Sequence, residues 1–326
     1  MKNEPRVFRS LEEAEGSFGP CALAIGNFDG VHTGHQALIR ATVAYAAEHG
    51  FVPSILTFHP HPIAVLAPDR KPERLCSLDE KIRLLFSFGI RHIMVLPFTE
   101  ALSQLSPRDF VSKILVNTLQ TKAVFVGENF RFGHKQAGNA ETLRTLGAEF
   151  GFVPQFVEPV VVRGEVVSSS VIRRYLCSGN VSRAARLLGR CFSVTGPVVS
   201  GHGVGSKQTV PTLNLRPVAG QVLPRGVFVT ETLDLDTARR WQSITNVGVR
   251  PTFGGEELTI ETYLLHPLNG NPPERIEVQF RQFVRQERQF ANPEALKRQI
   301  LKDVGRAQAY WRRLFRYTSS SDVLRP

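Results

Sequence analysis

The sequence predicts two domains, an α/β domain built on a parallel sheet and a smaller antiparallel β domain that ends in a helix. In the first half of the chain, strand-like apolar runs alternate with segments of helical spacing, which is typical of a doubly wound parallel sheet. After Gly189, short β-rich runs follow one another with no helical pattern between them, which indicates an antiparallel sandwich or barrel. The length of 326 residues is sufficient for two such domains.

Four strands, separated by helices, are predicted in the first half. One helix has a well-defined start, because Ser106 can cap it, Pro107 can open it and Asp109 supplies a carboxylate to its first turn. Parallel sheets of this kind bind ligands at the carboxyl ends of their strands. The predicted strands cover residues 22–25, 53–58, 92–98 and 123–127, and the helices lie around 38–47, 78–88 and 110–119.

Six short strands and one long helix are predicted in the second half. Asn292 can cap the helix and Pro293 can open it, and apolar residues recur along one face as far as Trp311. We place the domain boundary near 188–191, which gives domains of residues 1–187 and 188–316, and we expect a flexible tail over 317–326. The predicted strands cover residues 193–199, 212–215, 227–232, 243–247, 259–265 and 275–280.

The composition is that of a globular protein, with 42% apolar residues and a formal net charge of +11. Basic residues outnumber acidic ones over 274–316, with aromatic residues interleaved, so a nucleic acid is one candidate partner. A solvated basic face above an apolar stripe gives the same pattern, and phosphorylated small molecules also favour a basic protein. No apolar run reaches the roughly 20 residues of a membrane helix, and scattered cysteines fit a reducing compartment. We therefore expect a cytoplasmic protein.

The segment 26–35 is a glycine-rich turn between a predicted strand and a predicted helix, and it carries the most chemical information. Glycines allow backbone N–H groups and the helix N-terminus to approach a phosphate closely. His32 and His35 share one face of that helix end and can donate hydrogen bonds to phosphate oxygens. Two other interpretations stay open from the residues alone. The histidines could cap or pack the helix, or they could bind a metal together with His59 and His61.

Three further segments of the first half place polar or aromatic residues where ligands can bind. Residues 57–62 end a strand in a segment stiffened by prolines, and residues 127–133 set aromatic rings beside glycines, which suits ring stacking or core packing equally. In the third segment, Ser168 and Ser169 offer hydroxyl and N–H groups at a helix start. Arg173 can neutralise phosphoryl charge one turn later, although a helix cap with a surface arginine would look the same.

These four segments resemble, in chain order, the GxFDGxHxGH, TFxPHP, GxDFxFG and ISSTxIR motifs of nucleotidyltransferases related to FMN adenylyltransferase. The resemblance implies a Rossmann-like nucleotidyltransferase domain, in which His32, His35 and Arg173 are catalytic. The residues that it implies in ATP and phosphate binding are Gly26, Phe28, Gly30, His32, His35, Ser168, Ser169 and Arg173. Those that it implies in flavin binding are His59, Pro60, Asn129 and Phe130, where Asn129 replaces the commoner aspartate of the family.

The β-rich half has motifs of its own. Thr212 and Asn214 are two residues apart on a predicted strand, so they project to one side and offer two oxygen ligands to Mg²⁺. Residues 210–215, 246–253, 260–263 and 285–290 resemble the PTAN, NIGxxPTF, ETH-like and RxExxF elements of riboflavin kinases. The resemblance implies a β-barrel with Thr212 and Asn214 at the metal, Glu261 as the catalytic acid residue, and Arg285 and Glu287 at the flavin.

The kinase motifs also depart from the family pattern. In the family's GRxLGFPTAN element, Ser206 replaces an arginine and Thr209 replaces a glycine, so the flap over the nucleotide could close differently. The LYG element is reduced to Leu268, Asn269 and Gly270. A monofunctional adenylyltransferase with a degenerate barrel is therefore one alternative.

With both halves matched in order, the chain resembles the bifunctional riboflavin kinase/FMN adenylyltransferases. The resemblance implies phosphorylation of riboflavin to FMN and adenylylation of FMN to FAD, with ATP as co-substrate and Mg²⁺ as cofactor. Riboflavin, FMN and ATP would be its partners, and we expect a monomer or weak oligomer that binds no nucleic acid or membrane. A basic RNA-binding protein is the alternative from another class.

Overall fold

The computed structural model describes residues 4–199, 212–252, 255–268 and 270–321, and side chains at 249–257 and 317–321 are left out of that description. The chain divides into two compact units, and the division falls between Ser169 and Ser170. Each unit is described by itself. None of the helices in the described ranges is both long and apolar enough to cross a membrane.

The first unit contains a six-stranded sheet in the order β1-β4-β3-β2-β5-β6, in which every pair of neighbours is parallel. The predicted parallel α/β domain is confirmed, and the four predicted strands form the centre of the sheet. The two edge strands were not predicted. The strands are β1 Arg6–Phe8, β2 Cys21–Ile25, β3 Val52–His59, β4 His92–Pro97, β5 Thr121–Gly127 and β6 Val153–Val157, and a separate hairpin pairs β7 Val161–Val162 with β8 Glu165–Val166.

Helices follow the strands as the apolar spacing predicts. The predicted cap at Ser106 is confirmed, because its Oγ accepts a hydrogen bond from the Asp109 N–H at 3.0 Å. From Phe110 to Thr118 the helix is π-wound rather than α-helical. The other helices are α1 Leu11–Ala14, α2 Thr33–His49, α3 Pro62–Leu66, α4 Leu78–Ser87, α5 Glu100–Ser103, α6 Pro107–Asp109 and α7 Ala140–Phe150, with short 3₁₀ turns at Pro68–Arg70 and His134–Gln136.

The central strand β2 is buried on both faces, which explains its uninterrupted apolar sequence. Cys21, Leu23 and Ile25 belong to one hydrophobic core, and the alternate residues Ala22 and Ala24 belong to a second core. The small alanine side chains lie on the same side as helix α2, which contributes Leu38 and Ile39 among others to the second core. Strand β2 is therefore fixed at the middle of the unit, and the turn that follows it starts from a rigid point.

The second unit contains a closed antiparallel barrel in the order β10-β13-β12-β11-β14-β9. The structure decides between the sandwich and the barrel that the strand pattern left open. The strands are β9 Phe192–Val199, β10 Thr212–Leu215, β11 Gly226–Asp234, β12 Arg240–Thr252, β13 Gly255–Leu264 and β14 Arg275–Arg285, and the helices are α8 Ser169–Cys177, which crosses the division between the units, α9 Val181–Leu188 and α10 Pro293–Ser321.

The two faces of the barrel wall have different chemistry. Inside, the buried hydroxyl groups of Thr230, Ser243, Thr245 and Thr262 are joined by hydrogen bonds of 2.7–3.0 Å. Outside, α10 packs on apolar side chains of β11 and β12 through Ala307 and other residues. Alternate residues of one strand thus serve an internal polar network and an external contact with α10.

The C-terminal helix begins as predicted, because Asn292 Oδ1 accepts a hydrogen bond from the Ala295 N–H at 2.8 Å. It continues to Ser321, so residues 317–321 of the expected flexible tail are helical. Residues 322–326 lie outside the described residues.

Candidate active sites

The turn of residues 26–32 leaves the carboxyl end of β2 and leads into α2. Its backbone has positive φ at three positions, 49° at Phe28, 79° at Gly30 and 40° at Val31. Glycine adopts this region at no cost, but a β-branched residue such as valine is strained there. Strain of this kind persists only when the surroundings hold the backbone, and it clusters at functional sites.

Buried polar contacts hold this turn in place. Both carboxylate oxygens of Asp29 accept from the Leu75 N–H, at 2.9 and 3.2 Å. Lys81 Nζ donates to the carbonyl oxygen of Asn27 at 2.7 Å, and desolvation by burial lowers the pKa of this lysine. The N–H of Gly30 donates to the sulfur of Cys76 at 3.3 Å, and burial raises the pKa of that thiol to about 12. These supports come from residues 75–81, which motif reasoning did not single out.

The two motif histidines stand together at the start of α2. Their rings are stacked, with centroids 3.6 Å apart and planes inclined by 14°. Nδ1 of His32 accepts from the His35 N–H at 3.3 Å, so a neutral His32 carries its proton on Nε2. The capping interpretation of His32 is confirmed, and its role toward phosphate stays a prediction.

His35 has the environment of a neutral imidazole. Burial, followed by the neighbouring His32 and Lys81, holds the pKa of His35 well below its usual value. Its Nδ1 atom is buried and has no hydrogen-bond partner among the described residues. A buried polar atom without a partner costs free energy, and such atoms at functional sites commonly await a ligand.

Cations surround the end of the neighbouring strand β3. Burial and four positive side chains, in the order Lys81, Arg74, Arg9 and Lys71, lower the pKa of His59. The carboxyl edge of the sheet is therefore electropositive beside the 26–32 turn, which favours phosphate groups. Sequence reasoning attributed the net charge mainly to the C-terminus and did not find this cluster, whose members are spread over residues 9–81.

The remaining predicted residues of the first unit follow β5 or precede α8. Phe130 stacks on Phe132 with centroids 5.4 Å apart, and Asn129 beside it is exposed. Ser169 Oγ donates to the carbonyl oxygen of Asp29 at 3.0 Å, which brings the start of α8 to the 26–32 turn. Strands β3, β2 and β5 are adjacent, so His59, the turn and Asn129 share one edge of the sheet. Ser168 is half-buried beside Ser169, whereas Arg173 lies one turn later in α8 and within the second unit.

In the barrel, the predicted polar residues are aligned by strand register. Glu261 on β13 lies between Asn214 on β10 and Asn246 on β12. Two residues further along β13, Tyr263 lies opposite Thr212 on β10. Because these residues alternate with buried residues of the barrel interior, the row lies on the outer face of the wall.

This outer face borders a cavity of about 800 Å³ between the barrel wall and α10. Glu261, Thr212 and Asn246 lie on its wall, and Asn214, their neighbour in register, lies just outside the lining. The cavity is large enough for a planar heterocycle, and it has apolar and charged sides. Its apolar and aromatic lining is Val227, Ile244, Tyr263, Phe290, Leu296 and Ile300, and its charged lining is Glu261, Arg285, Glu287, Arg288 and Asp303.

The predicted pair Arg285 and Glu287 lies on the cavity wall. Arg285 Nε donates to Asp303 Oδ2 at 2.8 Å, and Glu287 Oε1 accepts from Asn246 Nδ2 at 3.3 Å. A β-carbon at Gly248 would overlap the Glu287 carboxylate, so a larger residue at this point of β12 would displace that side chain. Asp303 and its neighbours on α10 were missed by motif reasoning. The sequence signal that could have indicated Asp303 is a carboxylate next to the apolar stripe of that helix.

The structure bears on the possibility that the motif histidines bind a metal. In the described ranges, no group of three or more histidine, cysteine, aspartate or glutamate side chains is arranged to hold a metal, so the four-histidine metal site finds no support there. The altered flap, residues 206–210, and Asn269 lie outside the described residues.

Comparison with known proteins assigns each unit to a family. The FAD synthetase model matches residues 15–171, and the riboflavin kinase model matches residues 188–311, so the barrel is not degenerate. A solved structure described as a macrolide-efflux protein from Streptococcus pneumoniae has a TM-score of 0.83 at 24% identity, covering 93% of this chain and 98% of that one. At that identity the likeness shows the fold alone.

Curated relatives match over most of the chain. A bifunctional riboflavin kinase/FMN adenylyltransferase from Escherichia coli K12 is 34% identical over 87% of this chain and 90% of its own length. Proteins of the same description from Pseudomonas fluorescens and Haemophilus influenzae are 33% and 31% identical, over 93% and 94% of this chain and 97% and 99% of their own lengths. The chain therefore belongs to the bifunctional riboflavin kinase/FMN adenylyltransferase family.

Proposed function

We propose that this chain makes FAD from riboflavin in two steps, with a kinase site on the barrel and an adenylyltransferase site at the edge of the parallel sheet. The observation that carries the proposal is that each family match falls on a unit with its own preformed site. One site is an electropositive turn with two stacked histidines. The other is a row of polar side chains beside a cavity of about 800 Å³.

In the adenylyl transfer, an oxygen of the FMN phosphate attacks the α-phosphorus of ATP, and the bond to the bridging oxygen breaks to release pyrophosphate. The attacking group is already an anion, so no protein nucleophile is needed. The N-terminus of α2, which the 26–32 turn with Gly26, Phe28 and Gly30 leads into, is suited to receive the ATP phosphates. His59, Pro60, Asn129 and Phe130 would hold the FMN at the ends of the two flanking strands.

The histidine pair would serve as preorganised, uncharged donors to the pyrophosphate as negative charge develops on it. His32 is held by its cap of α2, and the Nδ1 atom of His35 has no hydrogen-bond partner among the described residues. Donors fixed before the reaction stabilise developing charge without reorganisation. Ser168, Ser169 and Arg173 would add hydroxyl donors and a permanent positive charge.

In the kinase step, Glu261 would accept the proton of the riboflavin 5′-hydroxyl while its oxygen attacks the γ-phosphorus of ATP, and ADP leaves. The carboxylate lies on the cavity wall, held between two asparagine residues by strand register. The apolar lining suits the isoalloxazine ring, and Arg285 and Glu287 provide polar contacts at its edge. Phosphoryl transfer needs little else from the protein beyond positioning and charge neutralisation.

Mg²⁺ fits the oxygen atoms that this site offers. Thr212 is exposed and Asn214 half-buried, and both lie on the outer strand face, where Glu261 is opposite Asn214. Their hydroxyl and carbonyl oxygens are ligands of the kind Mg²⁺ takes together with substrate phosphates. The ion would neutralise phosphate charge there.

Incubation with riboflavin, ATP and MgCl₂, followed by chromatography of the flavins, tests both steps. We expect FMN to appear first and FAD to follow. FAD formation from FMN without FMN formation from riboflavin would remove the kinase half of the proposal. A salt-sensitive gel shift with random RNA, unaffected by ATP or FMN, would favour the RNA-binding alternative. The cytoplasmic location and the monomeric or weakly oligomeric state stay predictions.

A further inference from the structure

The N-terminal half of α10 turns two buried polar side chains toward the barrel. Asp303 is 2% exposed and Gln299 is 8% exposed, one helical turn apart. Burying a carboxylate is costly unless it is paired and hydrogen-bonded. The contacts of Asp303 therefore show which groups compensate the cost of burying its carboxylate.

Every contact of this pair leads toward the cavity wall. Asp303 Oδ2 accepts from Arg285 Nε at 2.8 Å, and its Oδ1 accepts from Gln299 Nε2 at 2.7 Å. Gln299 Oε1 in turn accepts from a guanidinium nitrogen of Arg288. The two residues of α10 thus connect with two arginines of the segment 285–290.

The same arginines line the cavity, Arg285 at the end of β14 and Arg288 in the segment that follows it. Arg285 also donates to the carbonyl oxygen of Gln286 at 2.9 Å, which fixes the chain where it leaves β14. The guanidinium carbons of Arg285 and Arg288 lie 5.7 and 4.9 Å from the centre of the Phe290 ring. Residues 286–289 are exposed and belong to no regular element. Besides the contact of Glu287 with Asn246, the pairs with α10 help to hold the segment 285–290 in shape.

We propose that Asp303 and Gln299 are positioning residues of the kinase site, which hold Arg285, Arg288 and the ring of Phe290 in the arrangement that receives the flavin. Helix α10 is then part of the riboflavin site. A planar guanidinium bound through a charge-assisted hydrogen bond keeps one orientation, and preorganisation of a binding wall improves affinity. The proposal rests on the kinase activity proposed for the barrel.

The test uses the full chain with Asp303→Asn, which keeps the size of the side chain and removes its charge. Loss of one charge-assisted hydrogen bond is expected to raise the KM for riboflavin about tenfold, with a smaller effect on kcat. The rate of FMN adenylylation by the same preparation should not change. Arg240→Gln is the matched control, because it removes a contact of 3.2 Å with Glu231 elsewhere on the barrel.

A second variant and a double substitution separate positioning from folding. Gln299→Met keeps the helix and the length of the side chain, and we expect a smaller rise in the riboflavin KM. If Asp303 acts through Arg285, adding Asp303→Asn to Arg285→Gln should change the KM less than twofold further. A lowered melting temperature with an unchanged riboflavin KM in both single variants would show a merely structural role and overturn the proposal.

Riboflavin binding measured by flavin fluorescence makes the test independent of turnover. A barrel that binds riboflavin without phosphorylating it would contradict the proposed kinase, while weaker binding by Asp303→Asn would still support positioning. Equal binding by wild type and Asp303→Asn would contradict positioning, whatever the activity of the barrel.

Discussion

The two units hold their candidate site residues in different ways. In the parallel-sheet unit, the predicted ligand residues lie in loops after adjacent strands, and distant side chains hold those loops, as Lys81 holds the carbonyl of Asn27. In the barrel, Asn214, Glu261 and Asn246 lie within strands, and hydrogen-bond register alone sets their spacing. The loop site thus depends on contacts from distant side chains for its shape, whereas the strand site depends only on the ladder of the barrel.

Because of this difference, effects on the reaction and effects on the positioning of site residues should be easier to distinguish in the barrel than in the loop site. A substitution on the rigid barrel wall should affect only the reaction that its side chain performs. In the loop site, a side chain that positions the turn and one that contacts the ligand are close together, and their effects will be harder to separate. The clearest effect is expected on the barrel wall, where a single side chain should account for it.

The largest effect is expected for Glu261→Gln on the barrel wall. The amide keeps the size of the side chain and removes the base, so folding and flavin binding should survive. General-base contributions are typically about 10²–10⁴-fold, and FMN production should fall by that order. Rates of FMN formation from riboflavin, measured by chromatography, check this. Riboflavin phosphorylation at the wild-type rate would show that Glu261 is not the base.

The FAD formed from added FMN is the internal control for Glu261→Gln. It should be unchanged, because the predicted adenylyltransferase residues, Arg173 apart, belong to another family match, over residues 15–171, and none of them lies on a barrel strand. A parallel loss of both activities would mean that the barrel wall also supports the adenylyltransferase site, and the two sites would then not be independent.

A somewhat smaller effect is expected for His32→Ala and His35→Ala in the loop site. Removal of one preorganised donor to developing charge typically costs about 10²–10³ in rate, so FAD formation from FMN should fall by that order. His32→Ala should also lower the melting temperature more than His35→Ala does, because His32 Nδ1 caps α2. Steady-state assays and thermal unfolding of both variants test the two parts.

His49→Ala is the matched control for the histidine pair. This histidine ends the same helix α2 and stacks on Tyr45 with centroids 3.9 Å apart, yet it lies at the opposite end from the 26–32 turn. It should leave both activities unchanged. Normal adenylyl transfer by His32→Ala and His35→Ala would remove them from the site.

A third prediction concerns where the adenylyltransferase can be cut from the barrel. Helix α9 packs on β9 and β14 of the barrel through a buried face that includes Val181 and Leu187. A fragment of residues 1–187 would leave that face uncovered, whereas residues 1–179 end before it and keep Arg173. We expect both fragments to adenylylate FMN weakly and the shorter one to be more soluble. Equal solubility, or inactivity of both folded fragments, would contradict this.

The sequence predicted the fold well where burial is repetitive. The central strands of the sheet were found because both of their faces are apolar, as in β2. The edge strands β1 and β6 were missed because one has three residues and the other is only half-buried, so neither gives a clear apolar run. The π-winding after Asp109 has no signal in residue spacing that we recognise.

In the candidate sites, contiguous motifs were recognised from the sequence and supporting residues distant in the chain were not. Motifs contiguous in sequence, such as residues 26–35, were found because neighbours in the chain act together. The supports were missed, because Leu75 and Lys81 meet the turn across some fifty residues of chain and Asp303 meets Arg285 from a different element. Such contacts exist only once the sheet and the barrel have formed, and no local pattern encodes them.

The smallest expected effect is a pH dependence of stability confined to the parallel-sheet unit. His35, His59 and His92 all belong to it, and burial is the first cause that lowers the pKa of each. His92 is buried with its Nδ1 2.7 Å from the carbonyl oxygen of Phe18. Above the ordinary histidine pKa of about 6.5 the folded and unfolded states are both neutral, and the stability is complete. As the pH falls below that value, the unfolded state binds protons that the folded state does not, so stability is lost.

Calorimetry at pH 7.5 and pH 5.5 measures this effect, and tryptophan fluorescence assigns the transitions. Both tryptophans, Trp241 and Trp311, belong to the barrel unit, so the transition without a fluorescence change reports on the parallel-sheet unit. One pKa unit corresponds to about 1.4 kcal/mol, which is a shift of roughly 3–6 °C in melting temperature for a unit of this size. We expect the midpoint temperature of the transition without a fluorescence change to fall by at least that much at the lower pH. His35→Gln should reduce this fall. A larger fall in the fluorescent transition, or an unchanged slope in His35→Gln, would mean that these buried histidines do not control the stability of the loop site.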